Sequence, residues 1–169
     1  MRRVLLWLAC LGLAATGSSA ELPEYQVKAA FLYNFAQFVE WPPTVGRDIL
    51  LCTYGDDPFG EDLDAIGGEP VGTRMMRVQR RVPEHGVDRC QILFVSRQAI
   101  DELPALRTRV AGKPVLIVAD SPGATRAGAA LNMTVMGGRV TFEANRKVAR
   151  EAGIDLSSRL LRLATEVIQ

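Results

Sequence analysis

Three short apolar runs, each closed by turn or cap residues, do most to limit what this chain can fold into. Ile49–Tyr54 ends at Gly55-Asp-Asp-Pro58, Cys90–Val95 ends at Ser96, and Pro114–Ala119 ends at Asp120-Ser-Pro-Gly123. Continuous apolar runs of this length suit strands buried on both faces of a parallel sheet. Helical patterns lie around them. Residues 24–40 read as a first helix and Phe59–Ile66 as a short one stopped by Gly67-Gly68. A third covers 97–111, with Ser96 as N-cap, Pro104 as a break or kink and Gly112 as its end. Val71–Val82 alternates loosely and reads as a more exposed strand. Leu131–Met136 and Arg139–Glu143 flank Gly137-Gly138, a tight hairpin signal. Asn145 caps a helix that Gly153 ends, and Ser157 or Ser158 caps a last helix striped by Leu160, Leu161, Ala164, Val167 and Ile168. The pattern predicts an α/β fold: a single three-layer domain with a mixed, mostly parallel sheet, helices on both faces and an antiparallel hairpin near the C-terminus that forms a sheet edge.

The first helix is the most aromatic. At about 100° per residue, Val27, Phe31, Phe35 and Phe38 share one side, with Leu32 and Val39 at its margin. Lys28 projects into that apolar arc. It must snorkel to water or meet a carboxylate. Glu143 is a candidate partner; alternatively, Glu143 is left exposed for another protein.

Residues 1–20 read as a secretory signal: Arg2-Arg3, an apolar Val4–Ala15 and a small-residue site at Ser18-Ser19-Ala20. Cys10 falls inside the apolar run and is expected to leave with it. Removing 20 of 169 residues leaves 149, one domain spanning 21–169. The two lost arginines leave 18 basic against 19 acidic residues, a net charge of about −1. That balance argues against nucleic acid as a partner. No second hydrophobic run follows, so no direct membrane insertion is expected after cleavage. Cys52 and Cys90 remain, 38 positions apart. An even count in an exported chain favours a disulfide over two buried thiols.

Catalytic signals are weak. The only histidine, His85, sits in the polar stretch Pro83-Glu-His-Gly86. No spacing fits a metal site, no cofactor is implied, and neither a Gly-x-Ser-x-Gly elbow nor a phosphate loop is present. Asp120 and Ser121, with Arg126 nearby, form a candidate ligand loop, because ligands of open α/β sheets lie beyond strand carboxyl ends. Met75, Met76, Met133 and Met136 read as core or edge filling, or as an adaptable binding face.

Three stretches together are specific. They are Lys28-Ala-Ala-Phe-Leu-Tyr-Asn-Phe through Val39-Glu-Trp-Pro42, Lys113-Pro-Val-Leu-Ile-Val-Ala-Asp-Ser-Pro-Gly123, and Gly138-Arg-Val-Thr-Phe-Glu-Ala-Asn145 running into Ala152-Gly-Ile-Asp-Leu-Ser-Ser-Arg-Leu-Leu-Arg-Leu163. In this order, behind a signal peptide, they resemble the YfiR-like family of small periplasmic proteins. The resemblance spans essentially the whole mature chain.

The resemblance implies regulation rather than catalysis. The expected function is repression of an inner-membrane diguanylate cyclase through its periplasmic sensing domain, lowering cyclic-di-GMP signalling. The alternative is a periplasmic small-molecule sensor acting on another membrane signalling protein. An enzyme using Asp120, Ser121 or Glu143 ranks below both. Within the family pattern, Cys52 and Cys90 match a strand-to-strand disulfide. Some members carry a second cysteine pair where this chain has Thr125 and Asn132. Ala129-Ala130 stand where Gly-Gly is common. The residues expected to meet a partner are Glu143, Arg139, Leu131 and Arg146. The sequence leaves a homodimer open.

Overall fold

The computed structural model describes residues 23–169; the expected signal segment lies outside the described residues. Its helices are α1 (Glu24–Phe38), α2 (Leu103–Arg109), α3 (Ala124–Ala127), α4 (Arg146–Glu151) and α5 (Ser158–Leu161). Its strands are β1 (Val39–Glu40), β2 (Asp48–Tyr54), β3 (Pro70–Val71), β4 (Arg74–Gln79), β5 (Ile92–Val95), β6 (Leu116–Ala119), β7 (Leu131–Met136), β8 (Arg139–Asn145), β9 (Asp155–Leu156) and β10 (Glu166–Ile168). Eight strands form one sheet in the order β10-β8-β7-β6-β5-β2-β4-β3. All neighbours are parallel except the hairpins β7/β8 and β3/β4. The short pair β1/β9 ties the end of α1 to the C-terminal region.

The three apolar runs became β2, β5 and β6, side by side at the sheet centre. Their side chains alternate between two cores, as the pleat requires. Leu51, Ile92, Phe94, Leu116 and Val118 face the α1 side. Cys52, Leu93, Val95, Ile117 and Ala119 face the α2 side. Helices therefore cover both faces, giving the expected mixed α/β architecture.

On α1 the buried residues are Lys28, Ala29, Leu32, Phe35 and Ala36, with Phe31 and Phe38 only half-buried. The buried face is thus rotated toward residues expected at its margin. Phe142 is the cause. It packs edge-on against Phe31 at 6.0 Å and Phe35 at 5.1 Å, centring the helix between them.

Several boundaries moved. Arg97–Glu102 is a 3-10 turn, and Pro104 sits in the first turn of α2, where its missing N–H is harmless, rather than kinking a longer helix. The short helix after β2 is a single 3-10 turn, Gly60–Leu63. The exposed strand is confined to β4, with β3 folded back on it. The largest correction is at the C-terminus. Helix α5 stops at Leu161, capped by the Ser157 hydroxyl, which accepts from the Leu160 N–H at 3.2 Å. Val167 and Ile168 then form β10, parallel to β8. Two β-branched residues beside an open edge gain ladder hydrogen bonds that a fraying helix end does not offer. The hairpin is therefore internal, and β10 is the edge.

Cys52 on β2 and Cys90, just before β5, form a disulfide with Cα atoms 5.9 Å apart. No helix among the described residues is long and apolar enough to cross a membrane.

Candidate functional site

The carboxyl ends of β2, β5 and β6 meet the start of α1. There Lys28, fully buried, finds its partner in Asp120 at the end of β6, with Nζ to Oδ2 at 2.7 Å. Its second partner is Glu24, one helical turn back. Arg97, following β5, approaches Asp120 Oδ2 at 3.3 Å, donates to the Asp120 carbonyl at 3.1 Å and reaches Glu24 Oε1 at 3.3 Å. Tyr25 donates its hydroxyl to Asp120 Oδ2 at 3.0 Å, and its ring lies 4.5 Å from Lys28 Nζ. Two cations and two carboxylates thus balance, with Lys28 and Asp120 buried and Arg97 and Glu24 at the exposed rim. Burying Lys28 and Asp120 is tolerable only because they face each other: Asp120 Oδ2 takes the hydrogen bonds of Lys28 and Tyr25, while its Oδ1 has no partner among the described residues.

Lys28 therefore does not meet Glu143. Phe142 faces α1, so Glu143, the next residue on β8, projects through the opposite face of the sheet. Under α3, Glu143 Oε2 accepts from Asn132 Nδ2 at 3.1 Å and from Thr125 Oγ1 at 3.2 Å. Asn132 Oδ1 accepts from the Ser121 N–H at 3.1 Å, which links this second polar group to the Asp120 turn. Asn145 caps α4 by accepting from the Val148 N–H at 3.0 Å.

The remaining expected site residues divide. Arg139 is exposed near the hairpin tip and Arg146 is half-buried. Leu131 is completely buried. It pairs across the hairpin with Ala144 on the core face, so the pleat withdraws it from any partner. Asp120 and Ser121 are buried, while Arg126 is exposed and reaches Glu166 at 3.0 Å, so these three do not line one ligand loop. Met76 and Met133 are core, whereas Met75 and Met136 are exposed on strands far apart in the sheet; they form no common face. His85 is exposed in a 3-10 turn. Among the described residues, no cluster of histidine, cysteine and carboxylates is arranged to hold a metal.

Sequence reasoning missed the role of Arg97 and the pairing of Lys28 with Asp120. The signal was present. Parallel strands send alternate residues toward α1, and the alternation through Leu116 and Val118 carries Asp120 to the Lys28 side.

Electrostatics follow from this geometry. The hydrogen bond from Lys28, followed by the fields of Lys28 and Arg97, holds the Glu24 carboxyl below its ordinary 4.5 despite partial desolvation. Burial, then the Asp120 charge and its hydrogen bond, push the Tyr25 phenol up to about 12, so it stays a neutral donor. A lowered folded-state value means that Glu24 contributes stability fully above pH 4.5 and loses it as pH falls through the folded-state value. Urea unfolding of wild type and Glu24→Gln across pH 7 to 3 checks this. The wild-type advantage is expected to shrink on acidification; a constant gap contradicts it.

None of the curated proteins matches. Among solved structures, a conserved domain protein from Vibrio cholerae O1 biovar El Tor aligns with TM-score 0.58 at 9% identity, over 87% of this chain and 61% of that one. An ABC domain from Streptococcus pneumonia, solved in complex with L-Trp, aligns with TM-score 0.56 at 11% identity, over 83% of this chain and 60% of that one. At such identities the likeness concerns the fold alone, and this chain spans about three-fifths of either neighbour. The YfiR/HmsC-like family model, in contrast, matches residues 25–165, from the first turn of α1 to the residue before β10. The chain belongs to the YfiR/HmsC-like family.

Proposed function

We propose that this protein is a periplasmic regulator that represses an inner-membrane diguanylate cyclase by binding its periplasmic sensing domain, and so lowers cyclic-di-GMP signalling. The observation that carries the proposal is the family match across residues 25–165. The chemistry of the buried charge cluster agrees with a non-catalytic role. Lys28 is fully enclosed and bonded to carboxylates, a structural arrangement rather than a nucleophile open to substrate.

The partner surface lies around the β7/β8 hairpin. Val135 and Met136 are 47% and 59% exposed, and Arg139 stands opposite Met136 in the ladder. Exposed apolar residues beside an arginine have the composition of binding hot spots. Glu143 and Arg146 extend this region toward α4.

The test is calorimetric binding of the mature chain to the periplasmic domain of a membrane diguanylate cyclase encoded beside it. Arg139→Glu is expected to weaken binding at least about tenfold, with Tm unchanged because the side chain is exposed. Glu143→Gln keeps the acceptor for Asn132 and Thr125 and isolates the charge. No detectable binding by wild type contradicts the proposal; normal binding by both variants moves the contact elsewhere.

A further inference from the structure

Reactive sulfur at the surface of this protein is confined, among the described residues, to two side chains. Both described cysteines are closed in the buried Cys52–Cys90 disulfide, so neither offers a thiol to an oxidant. Met76 and Met133 are 0% and 1% exposed, deep in the core, whereas Met75 and Met136 are 39% and 59% exposed. A thioether is oxidised only where the oxidant can reach it. The fold therefore protects one pair of methionines and offers the other.

The hairpin gives Met136 a setting that Met75 lacks. Gly137 and Gly138, at φ 56° and 75°, make the two-residue turn that places Met136 directly opposite Arg139. A Cβ at Gly137 would meet nothing within 4 Å, so the tip stands clear of its surroundings. The pleat puts Met136 on the face that carries Asn132 and Thr134. On that face Asn132 is bonded to Glu143, and Thr134 Oγ1 lies 2.9 Å from Thr141 Oγ1. Met136 is thus the one apolar member of a row of polar cross-strand pairs. Arg139 is exposed and, among the described residues, takes part in no ion pair. Side chains directly opposite each other on two strands have Cβ atoms about 4.5–5.5 Å apart, well within mutual reach. Met75 lies on β4 between β2 and β3, with β6, β5 and β2 separating its strand from the hairpin, and serves as a built-in control.

We propose that Met136 is an oxidation switch for the partner contact, on which hydrogen peroxide acts. The inference rests on the partner surface proposed above. The peroxide O–O bond breaks, one oxygen forms a bond to the Met136 sulfur, and the other leaves as water; the sulfur loses two electrons and the peroxide gains them. Two consequences weaken the contact. An apolar thioether at the hairpin tip becomes a polar sulfoxide, which must be desolvated when a partner covers it. The new oxygen is also a hydrogen-bond acceptor opposite Arg139, and it ties the guanidinium to the hairpin instead of leaving it to the partner. The fold itself is spared because the side chain is exposed. Sulfoxide reduction reverses the change.

The test compares the mature chain before and after brief treatment with hydrogen peroxide, which is removed before the partner is added. Peptide mass spectrometry is expected to find one added oxygen at Met136 and at Met75, and none at Met76 or Met133. Calorimetric binding to the periplasmic domain of the cyclase should weaken at least about tenfold on oxidation, with Tm unchanged. It should return after treatment with the two methionine sulfoxide reductases, one for each epimer. Met136→Leu keeps an apolar side chain of similar volume without the sulfur. This variant should bind as wild type does and be indifferent to peroxide, whereas Met75→Leu should stay as sensitive as wild type. Met136 left unoxidised, unchanged binding by the oxidised chain, or a peroxide effect that persists in Met136→Leu overturns the switch and leaves the partner surface standing. Absence of binding by untreated wild type overturns the partner reading, and the switch with it.

Discussion

Asp120→Ala is expected to destabilise the protein by about 3–5 kcal/mol, the first of two large effects expected here. The change strands Lys28, whose side chain is fully buried, with one carboxylate in place of two. It also removes the acceptor of the Tyr25 hydroxyl and one anchor of Arg97. Lys28→Met should cost less, at the lower end of that range, because Asp120 keeps Arg97 and Tyr25. Urea unfolding gives both values and that of the double variant Lys28→Met/Asp120→Leu. The double variant should be more stable than the sum of the single changes, since it leaves neither charge unmatched. Strict additivity would show that the two side chains do not act as a pair.

The disulfide is the second. Cys52 and Cys90 close a loop of 38 positions between adjacent parallel strands. Constraining an unfolded loop of that length is worth about 4 kcal/mol on the chain-entropy estimate. Against a total stability of about 5–15 kcal/mol this is a large share. Cys52→Ala/Cys90→Ala, or full reduction, should lower the urea midpoint accordingly. Both cysteines are buried, so the alanine pair adds a small packing loss that reduction does not. An unchanged midpoint after verified reduction would show that the cross-link contributes nothing. This chain has Thr125 and Asn132 where some family members carry a second pair, and both serve the Glu143 hydrogen-bond group instead. Its response to reductant should therefore be a single transition.

A smaller effect checks the strand junction. Gly55→Ala forces a Cβ toward Ser96 Oγ in a left-handed conformation, and should cost about 1–3 kcal/mol, measured by the same unfolding experiment. A neutral result would mean that the β2 and β5 loops are not locked together.

Much of this fold was legible in the residues. Ile49–Tyr54, Cys90–Val95 and Pro114–Ala119 announced buried parallel strands because such strands must be apolar on both faces. Gly137-Gly138 announced the hairpin, and Asn145 and Ser157 both cap helices as expected. The C-terminus was not legible. Leu160, Leu161 and Ala164 fit a helical stripe, but what turns Val167 and Ile168 into a strand is the open edge of β8, which no local pattern displays. The site was half legible. Lys28 was visibly out of place on an apolar face, yet replacing Glu143 by Asp120 as its partner required knowing which face of the sheet α1 covers. Phe142 decides that, by packing against Phe31 and Phe35 and sending Glu143 the other way.

The family assignment gives the regulatory reading its weight, and the cell offers its sharpest check. Cyclic-di-GMP should be measured in cells lacking this gene and in the same cells complemented with wild type or with Arg139→Glu. The expected result is a rise on deletion, a return with wild type and an incomplete return with the variant. Levels that stay the same in the deletion and complemented strains would contradict repression of a diguanylate cyclase.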